Sequence, residues 1–454
     1  MIVRQRSCAS LNLVNTQRLS ASSNSGKPRS AIFRSLALLL LCAFMILPLS
    51  ACGEDREDEK LADYGSYGAE IANQIAALGP RPSGSSQEQA AGEMVFNALT
   101  ALGYHPERQT FTSNGSSVSN IIVKIPGSGF RYRPVNLIDK LYVEPDQGQI
   151  YGHIFSRQVI LATRLCTEEA QAEPSETPGE SEETVPTETD ENGEAKPDDF
   201  AWARAENRGE VVYEASELEG ISDNASGIAS LLTLAKLLKN ENLGYDVTLA
   251  FVAASGNNYE GTRQLLAHFS DEELDNIDCF YELRNIYAGD SLYVHAGWQA
   301  IDSDRKYLLR RKIYEMTDVS LETGLLYDNG EDLLLNESIF DVPNPLTQAR
   351  TLYREFSYNR SDYLVADELG IPCAFVESYD YNGKDFSDQC ENRNPSFSSS
   401  GGRVSGTSYD NRARLERILD RNQLQRRVNT VAFLCLGALR KGCSDGVAVR
   451  IDAE

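Results

Sequence analysis

The chain has 454 residues, with 43 Lys and Arg against 67 Asp and Glu, four His, and a formal net charge of −24. That length can bury the core of one large α/β domain with tails, or of two domains. The acidic balance argues against nucleic acid or anionic membrane surfaces as partners, because phosphate binding relies on clustered cations.

In chain order, residues 1–51 come first. They hold six basic residues (Arg4, Arg6, Arg18, Lys27, Arg29, Arg34) and no acid, and close with the apolar run "LALLLLCAFMILPLSA" from Leu36 to Ala51. A basic start, a short Pro-interrupted apolar run and small residues at its end predict a signal peptide; an uncleaved membrane anchor is the alternative. Leu49-Ser50-Ala51-Cys52 resembles a bacterial lipobox, so Cys52 is the expected lipidation site and membrane lipid an expected partner. The expected location is extracytoplasmic, anchored to the bacterial cell membrane. Cleavage would leave 37 basic and 67 acidic residues, a net charge of −30. Beyond Cys52, six cysteines remain (Cys166, Cys279, Cys373, Cys390, Cys435 and Cys443). An even number outside the cytoplasm suggests disulfides, with Cys373–Cys390 and Cys435–Cys443 expected as the sequence-near pairs.

Residues 52–64 read as a charged tether. Two helical patterns flank a Pro-Gly turn in "YGAEIANQIAALGPRPSGS" and "QEQAAGEMVFNALTALGY", and strand-like runs follow at 109–112, 119–127 and 157–165. Residues 167–200 carry 13 acids and one lysine with almost no apolar side chain, a composition that predicts a disordered insertion, with a linker between separate domains as the alternative. Next comes a β-α-β pattern: a helix from Ala225 to about Lys239, then the apolar strand "DVTLAFVAAS" (246–255). "TRQLLAHF" begins a helix, "NIDCFYEL", "DSLYVHAG" and "GIPCAFVES" read as strands, and "NRARLERILDRNQLQRRVNTVAFLCLGAL" as a closing helix or helix pair. The domain predicted from this pattern spans residues 65–440, and residues 441–454 form a C-terminal tail. Its expected architecture is three-layer α/β/α around a mixed, largely parallel sheet.

"LGPRPSGS", "SNIIVKIPG", "GISDNASGIASLLTLAKLL", "DVTLAFVAAS" and "RSDYLVADELGIPCAFVE", in this order, resemble the co-catalytic zinc aminopeptidases of metallopeptidase family 28. The resemblance implies a zinc aminopeptidase-like fold. Its chemistry uses two metals about 3.5–4 Å apart, bridged by a carboxylate, with a glutamate as general base. By the same resemblance Asp223 matches the bridging aspartate, and Glu282 in "FYELRN" an acidic ligand; taken alone, Asp223 also reads as a helix cap and Glu282 as a strand-end surface acid.

Other positions depart from the pattern. Arg164-Leu165-Cys166 stands where the family has His-x-Asp, Asn257-Asn258 where it has Glu-Glu, Tyr363 where it has the histidine of Ser-Asp-His, and Gly406 where it has the last histidine ligand. Glu260 lies near the base position. The four histidines, His105, His153, His268 and His295, show no i, i+4 pair. Asparagine cannot accept the proton of an attacking water, which forfeits roughly 10²- to 10⁴-fold of general-base catalysis. Arg164 would repel a metal and could pair instead with Asp223 or Glu282. These departures predict a lipid-anchored pseudopeptidase with no bound cofactor, binding peptides or an envelope protein through the old cleft. The alternatives are an active zinc aminopeptidase with displaced ligands, such as His153 or Glu260, and a structural or adhesion lipoprotein.

Overall fold

The computed structural model describes residues 63–132, 154–168, 217–302, 306–337, 340–343, 350–357, 359–383, 388–441 and 448–450. The predicted signal peptide, Cys52, nearly all of the tether, His153, Cys443 and all but the first two residues of the acidic insertion lie outside them.

Thirteen strands follow in chain order: β1 (Glu107–Ser113), β2 (Ser116–Ile125), β3 (Phe130–Tyr132), β4 (Ile154–Phe155), β5 (Gln158–Arg164), β6 (Asp246–Val252), β7 (Ile277–Leu283), β8 (Ser291–His295), β9 (Leu333–Leu334), β10 (Phe340–Pro343), β11 (Arg350–Tyr353), β12 (Cys373–Tyr379) and β13 (Ala448–Arg450). Eight of them form the central sheet in the order β1-β2-β6-β5-β7-β12-β8-β9. Its middle, β6-β5-β7-β12, is parallel, and the neighbouring pairs β2/β6 and β12/β8 are antiparallel.

The central strands are continuous apolar runs because both faces of the sheet are covered. Along β5, Val159 and Leu161 pack into one core while Ile160 and Ala162 pack into the other, the period-two alternation of a strand buried on both sides. Helices α1 (Tyr67–Ala76), α2 (Ser86–Ala101) and α3 (Ser226–Leu238) lie over the first face, and α4 (Glu260–Leu266) and α5 (Tyr363–Glu368) over the second. The closing segment is a helix pair, α6 (Arg412–Ile418) and α7 (Gln423–Lys441), and α7 packs on α3 on the first face. The fold is therefore the α/β/α arrangement predicted. Among the described residues no helix is long and apolar enough to cross a membrane.

The Cys373–Cys390 disulfide does not form, since both thiols are free and buried. Cys373 opens β12, whereas Cys390 sits opposite Asp380, seven residues further along the extended chain. At about 3.3 Å per residue that is ~23 Å, far outside disulfide reach. Cys435 is likewise a free thiol, inside α7.

Candidate functional site

The four parallel strands end at one edge of the sheet, where α/β proteins of this kind place their ligands. What reaches that edge begins with Arg81, in the turn between α1 and α2. Its guanidinium is fully buried and donates to the carbonyls of Ile75 (3.1 Å), Gly79 (2.6 Å), Glu219 (2.8 Å) and Gly220 (3.1 Å), and to Asn224 Oδ1 (2.6 Å). Asn224 passes the link on, donating to the Leu165 carbonyl at the end of β5 (2.7 Å). These bonds fix a π-helical turn, Ile221–Ala225, entered through Gly220 at φ +64°. A side chain at Gly220 would meet Thr167 Cγ2 at 2.2 Å and Arg81 itself at 2.7 Å. The Asp410 carboxylate closes the turn from the other side, accepting from the backbone N–H groups of Ser222 (2.6 Å) and Asp223 (3.1 Å). Burial, then the neighbouring Asp223, push the Asp410 carboxyl well above its ordinary range.

Asp223 is fully buried, and both of its oxygens already have donors. Oδ1 accepts from Arg284 Nε at 2.9 Å and Oδ2 from the Glu168 backbone N–H at 2.6 Å. Arg284 lies just past the end of β7. Its NH2 donates to Glu168 Oε1 at 2.5 Å and its NH1 to the Arg360 carbonyl at 3.3 Å. Arg403 stands 3.6 Å from the other Glu168 oxygen. Burial disfavours the Glu168 carboxylate, but Arg284 and Arg403 outweigh it and hold the group at about 2. Gly406, at φ +71°, backs this carboxylate: a Cβ there would lie 3.1 Å from Glu168 Oε2. The space that a larger residue at position 406 would fill is taken by Glu168.

A second knot lies beside the first. Glu282, near the end of β7, accepts from the Asp362 N–H (3.3 Å), from the Tyr363 N–H (2.6 Å) and from the Ser361 hydroxyl in a short bond, which satisfies the N-terminus of α5. Asp362 accepts from Ser255 (3.0 Å) and Thr262 (2.7 Å). Arg164, ending β5, donates to Ser361 Oγ at 3.3 Å and lies 3.6 Å from Asp362 Oδ2.

Several expectations are thereby redrawn. The cation on Asp223 is Arg284, whereas Arg164 turns to Ser361 and Asp362; Arg284 leaves β7 two residues beyond Glu282 and reaches Asp223 first. Asn257 and Asn258 do not reach the cluster, because the turn after β6 brings Ser255 to Asp362 and directs the Asn257 amide to Ser113 (2.8 Å), while Asn258 is exposed. Tyr363 points into the second core, its ring stacked on Phe375 at 5.0 Å. Cys166 is buried, and burial raises its thiol despite Arg164 nearby. Glu260 opens α4. Of the histidines, His105 is exposed, His268 is an exposed partner of Gln109 (2.8 Å), and His295 is buried 3.1 Å from Glu377. Glu377 also accepts from Ser357 (2.5 Å), Tyr381 (2.5 Å) and Asn359 (2.6 Å), a buried polar knot that the sequence reading missed.

Among the described residues no group of three or more His, Cys, Asp or Glu is arranged to hold a metal ion. The donor set here does not fit a zinc pair. A guanidinium, which carries only donors, occupies the space between Asp223 and Glu168, and none of the described histidines, His105, His268 and His295, is among the partners of either carboxylate.

Burial, then Asp362, raise Glu282 from its ordinary 4.5 to about 7 against the opposing pull of Arg164 and the hydrogen bonds. Glu391 and Asp367 are also raised to about 7, in both cases first by burial. A folded acid with a raised pKa keeps a proton that the unfolded chain has released. Stability from these groups is therefore full below about 4.5 and falls as pH rises toward 7. Melting temperature should drop between pH 5 and pH 8 at constant ionic strength, and Glu282→Gln should shallow that drop; an unchanged slope would count against the assignment.

Comparison with known proteins agrees with the fold. Residues 201–400 match the model of the family described as Peptidase family M28. The chain shares 37% identity over 91 residues with the alkaline phosphatase isozyme conversion protein of Escherichia coli (strain K12), covering 20% of this chain and 26% of that protein. The match thus spans about a quarter of the curated relative. In fold, the chain is similar to a zinc aminopeptidase from Bacillus subtilis, with a TM-score of 0.50 at 10% identity over 86% of this chain and 99% of that one. It is also similar to the glutaminyl cyclase of Porphyromonas gingivalis, with a TM-score of 0.45 at 16% identity over 82% and 97% of the two chains. Residues 201–400 thus resemble a family M28 peptidase domain, and the chain has the zinc aminopeptidase-like α/β fold.

Proposed function

We propose that this chain is a non-hydrolytic M28 relative, a lipid-anchored extracytoplasmic protein that binds peptides or another envelope protein at the strand-end cleft. The observation that carries the reading is the Arg284 guanidinium seated on Asp223 and Glu168. A fixed positive charge between two carboxylates supports this reading, since it disfavours the ion and bound water that a two-metal hydrolase requires. The position expected for a general base supports the same reading: Asn257 bonds Ser113, and the residue that does meet the cluster there, Ser255, is hydrogen-bonded to Asp362. The anchoring part rests on the Leu-Ser-Ala-Cys segment ending at Cys52. Purified protein should contain less than a tenth of an equivalent of zinc and release no amino acid from aminoacyl-anilide or peptide substrates, with or without chelator. About two equivalents of tightly held zinc, together with chelator-sensitive release, would restore the active aminopeptidase. Mass spectrometry of the mature N-terminus tests the acylation of Cys52.

A further inference from the structure

Glu168 is held by two arginines, one on each of its oxygens. Arg284 NH2 meets one of its oxygens at 2.5 Å and Arg403 NH2 stands 3.6 Å from the other, while Gly406 leaves open the wall against which the group rests. The seat lies at the rim of the cluster: the Glu168 side chain is 35% exposed and that of Arg403 is 30% exposed, whereas Arg284 behind them is buried at 5%. One guanidinium hydrogen-bonded to a carboxylate oxygen and a second within ion-pair distance of the other oxygen, at a partly open rim, form a cationic seat for a carboxylate, a group that Arg recognises well. The seat is not purely cationic. The Glu391 carboxyl is close enough for Glu168 to raise it, and Asp223 shares Arg284.

We infer that the Arg284–Arg403 seat is a recognition site for the carboxylate of an acidic peptide, and that Glu168 is its resident, exchangeable occupant. The inference rests on the non-hydrolytic reading, since a metal between Asp223 and Glu168 would remove the seat. A carboxylate tethered beside its site competes at an effective concentration on the order of millimolar. The intact protein therefore binds free carboxylates weakly, and neutralising Glu168 strengthens binding. Both sources of the group, an acidic side chain and a peptide C-terminus, present the same two oxygens.

The test uses the full mature chain, wild type and Glu168→Gln, with three probes read by calorimetry or ligand-observed NMR. N-acetyl-glutamate α-amide offers only a side-chain carboxylate, N-acetyl-glutamine only an α-carboxylate, and N-acetyl-glutamine amide neither. Glu168→Gln should bind one or both charged probes at least tenfold more tightly than wild type and ignore the uncharged one. The double variant Glu168→Gln with Arg403→Gln should lose that gain. The probe that binds identifies the source. Absence of any gain in a folded Glu168→Gln protein, or a gain that survives loss of Arg403, overturns the proposal. Zinc is measured in the same preparations. Bound zinc sinks the non-hydrolytic reading, whereas zinc-free protein that takes no carboxylate sinks only the seat.

Discussion

Arg284→Met should destabilise the domain by about 3–5 kcal/mol in urea denaturation, the cost of stranding buried charge when one partner of an ion pair is removed. Methionine keeps most of the length and the apolar stem, so the loss reports the guanidinium and little else. That group alone serves three acceptors: Asp223 through Nε, Glu168 through NH2 and the Arg360 carbonyl through NH1. Asp223 has 0% exposure, so loss of the donor leaves a buried carboxylate without its counter-charge. The variant has a second expected property. With the cation gone, two carboxylates face an empty space of oxygen donors without imidazole, a set suited to hard divalent ions. Millimolar Ca²⁺ or Mn²⁺ should raise the variant's stability by 1–3 kcal/mol, as mass action requires of an ion present at roughly 10 to 100 times its dissociation constant, and should leave the wild type unmoved. A variant within 1 kcal/mol of wild type, or a wild type equally stabilised by the ions, would show that Arg284 does not stand in for a metal.

The contrast between what the sequence revealed and what it hid has a physical basis. β5, β6, β7 and β12 were legible because strands buried on both faces read as unbroken apolar runs bounded by turn residues, and the helix after Asp223 because its apolar stripe repeats at helical spacing. Asp223 and Glu282 stood out in the sequence only through their flanking segments. Arg284 was missed because an arginine just past a strand ordinarily means solvent. A signal was present: Arg284 follows Glu282 by two residues, directly after the buried segment "CFYEL", which asks where two charges at the end of a buried strand find partners. Ser255 was missed for a different reason. The turn after β6 carries non-glycine residues at positive φ, Ala254 (+55°), Asn258 (+54°) and Tyr259 (+57°), and counting along the chain cannot anticipate which side chain such a turn presents. Glu168 belonged, by composition, to the acidic insertion, and nothing local distinguished its carboxylate from the twelve that follow within 167–200. The disulfide expectation failed because proximity in sequence was taken for proximity in space, while an extended strand separated the two thiols.

Arg81→Ala should be as damaging as loss of Arg284, at about 3–5 kcal/mol, although Arg81 touches neither Asp223 nor Glu282. Its guanidinium satisfies four backbone carbonyls and the Asn224 amide oxygen, and its own backbone N–H and carbonyl exchange hydrogen bonds with Thr167 at 3.0 Å each. The side chain thus ties the end of α1 to the turn that presents Asp223, while the residue's backbone holds the segment after β5. Burial lowers the Arg81 guanidinium to about 10 despite Asp410 and Asp223, so it stays charged at any physiological pH. The "GPRPSGS" segment is then a brace for the turn, and its arginine is needed whether or not a metal is bound. Arg81→Lys keeps the charge but replaces a planar fork with a single ammonium bearing three donors, too few for five acceptors spread around the side chain. It should recover less than half of the loss, read as the urea midpoint at unchanged m-value. Full recovery by lysine would mean that charge alone matters at this position, and that the turn carrying Asp223 is held by other contacts.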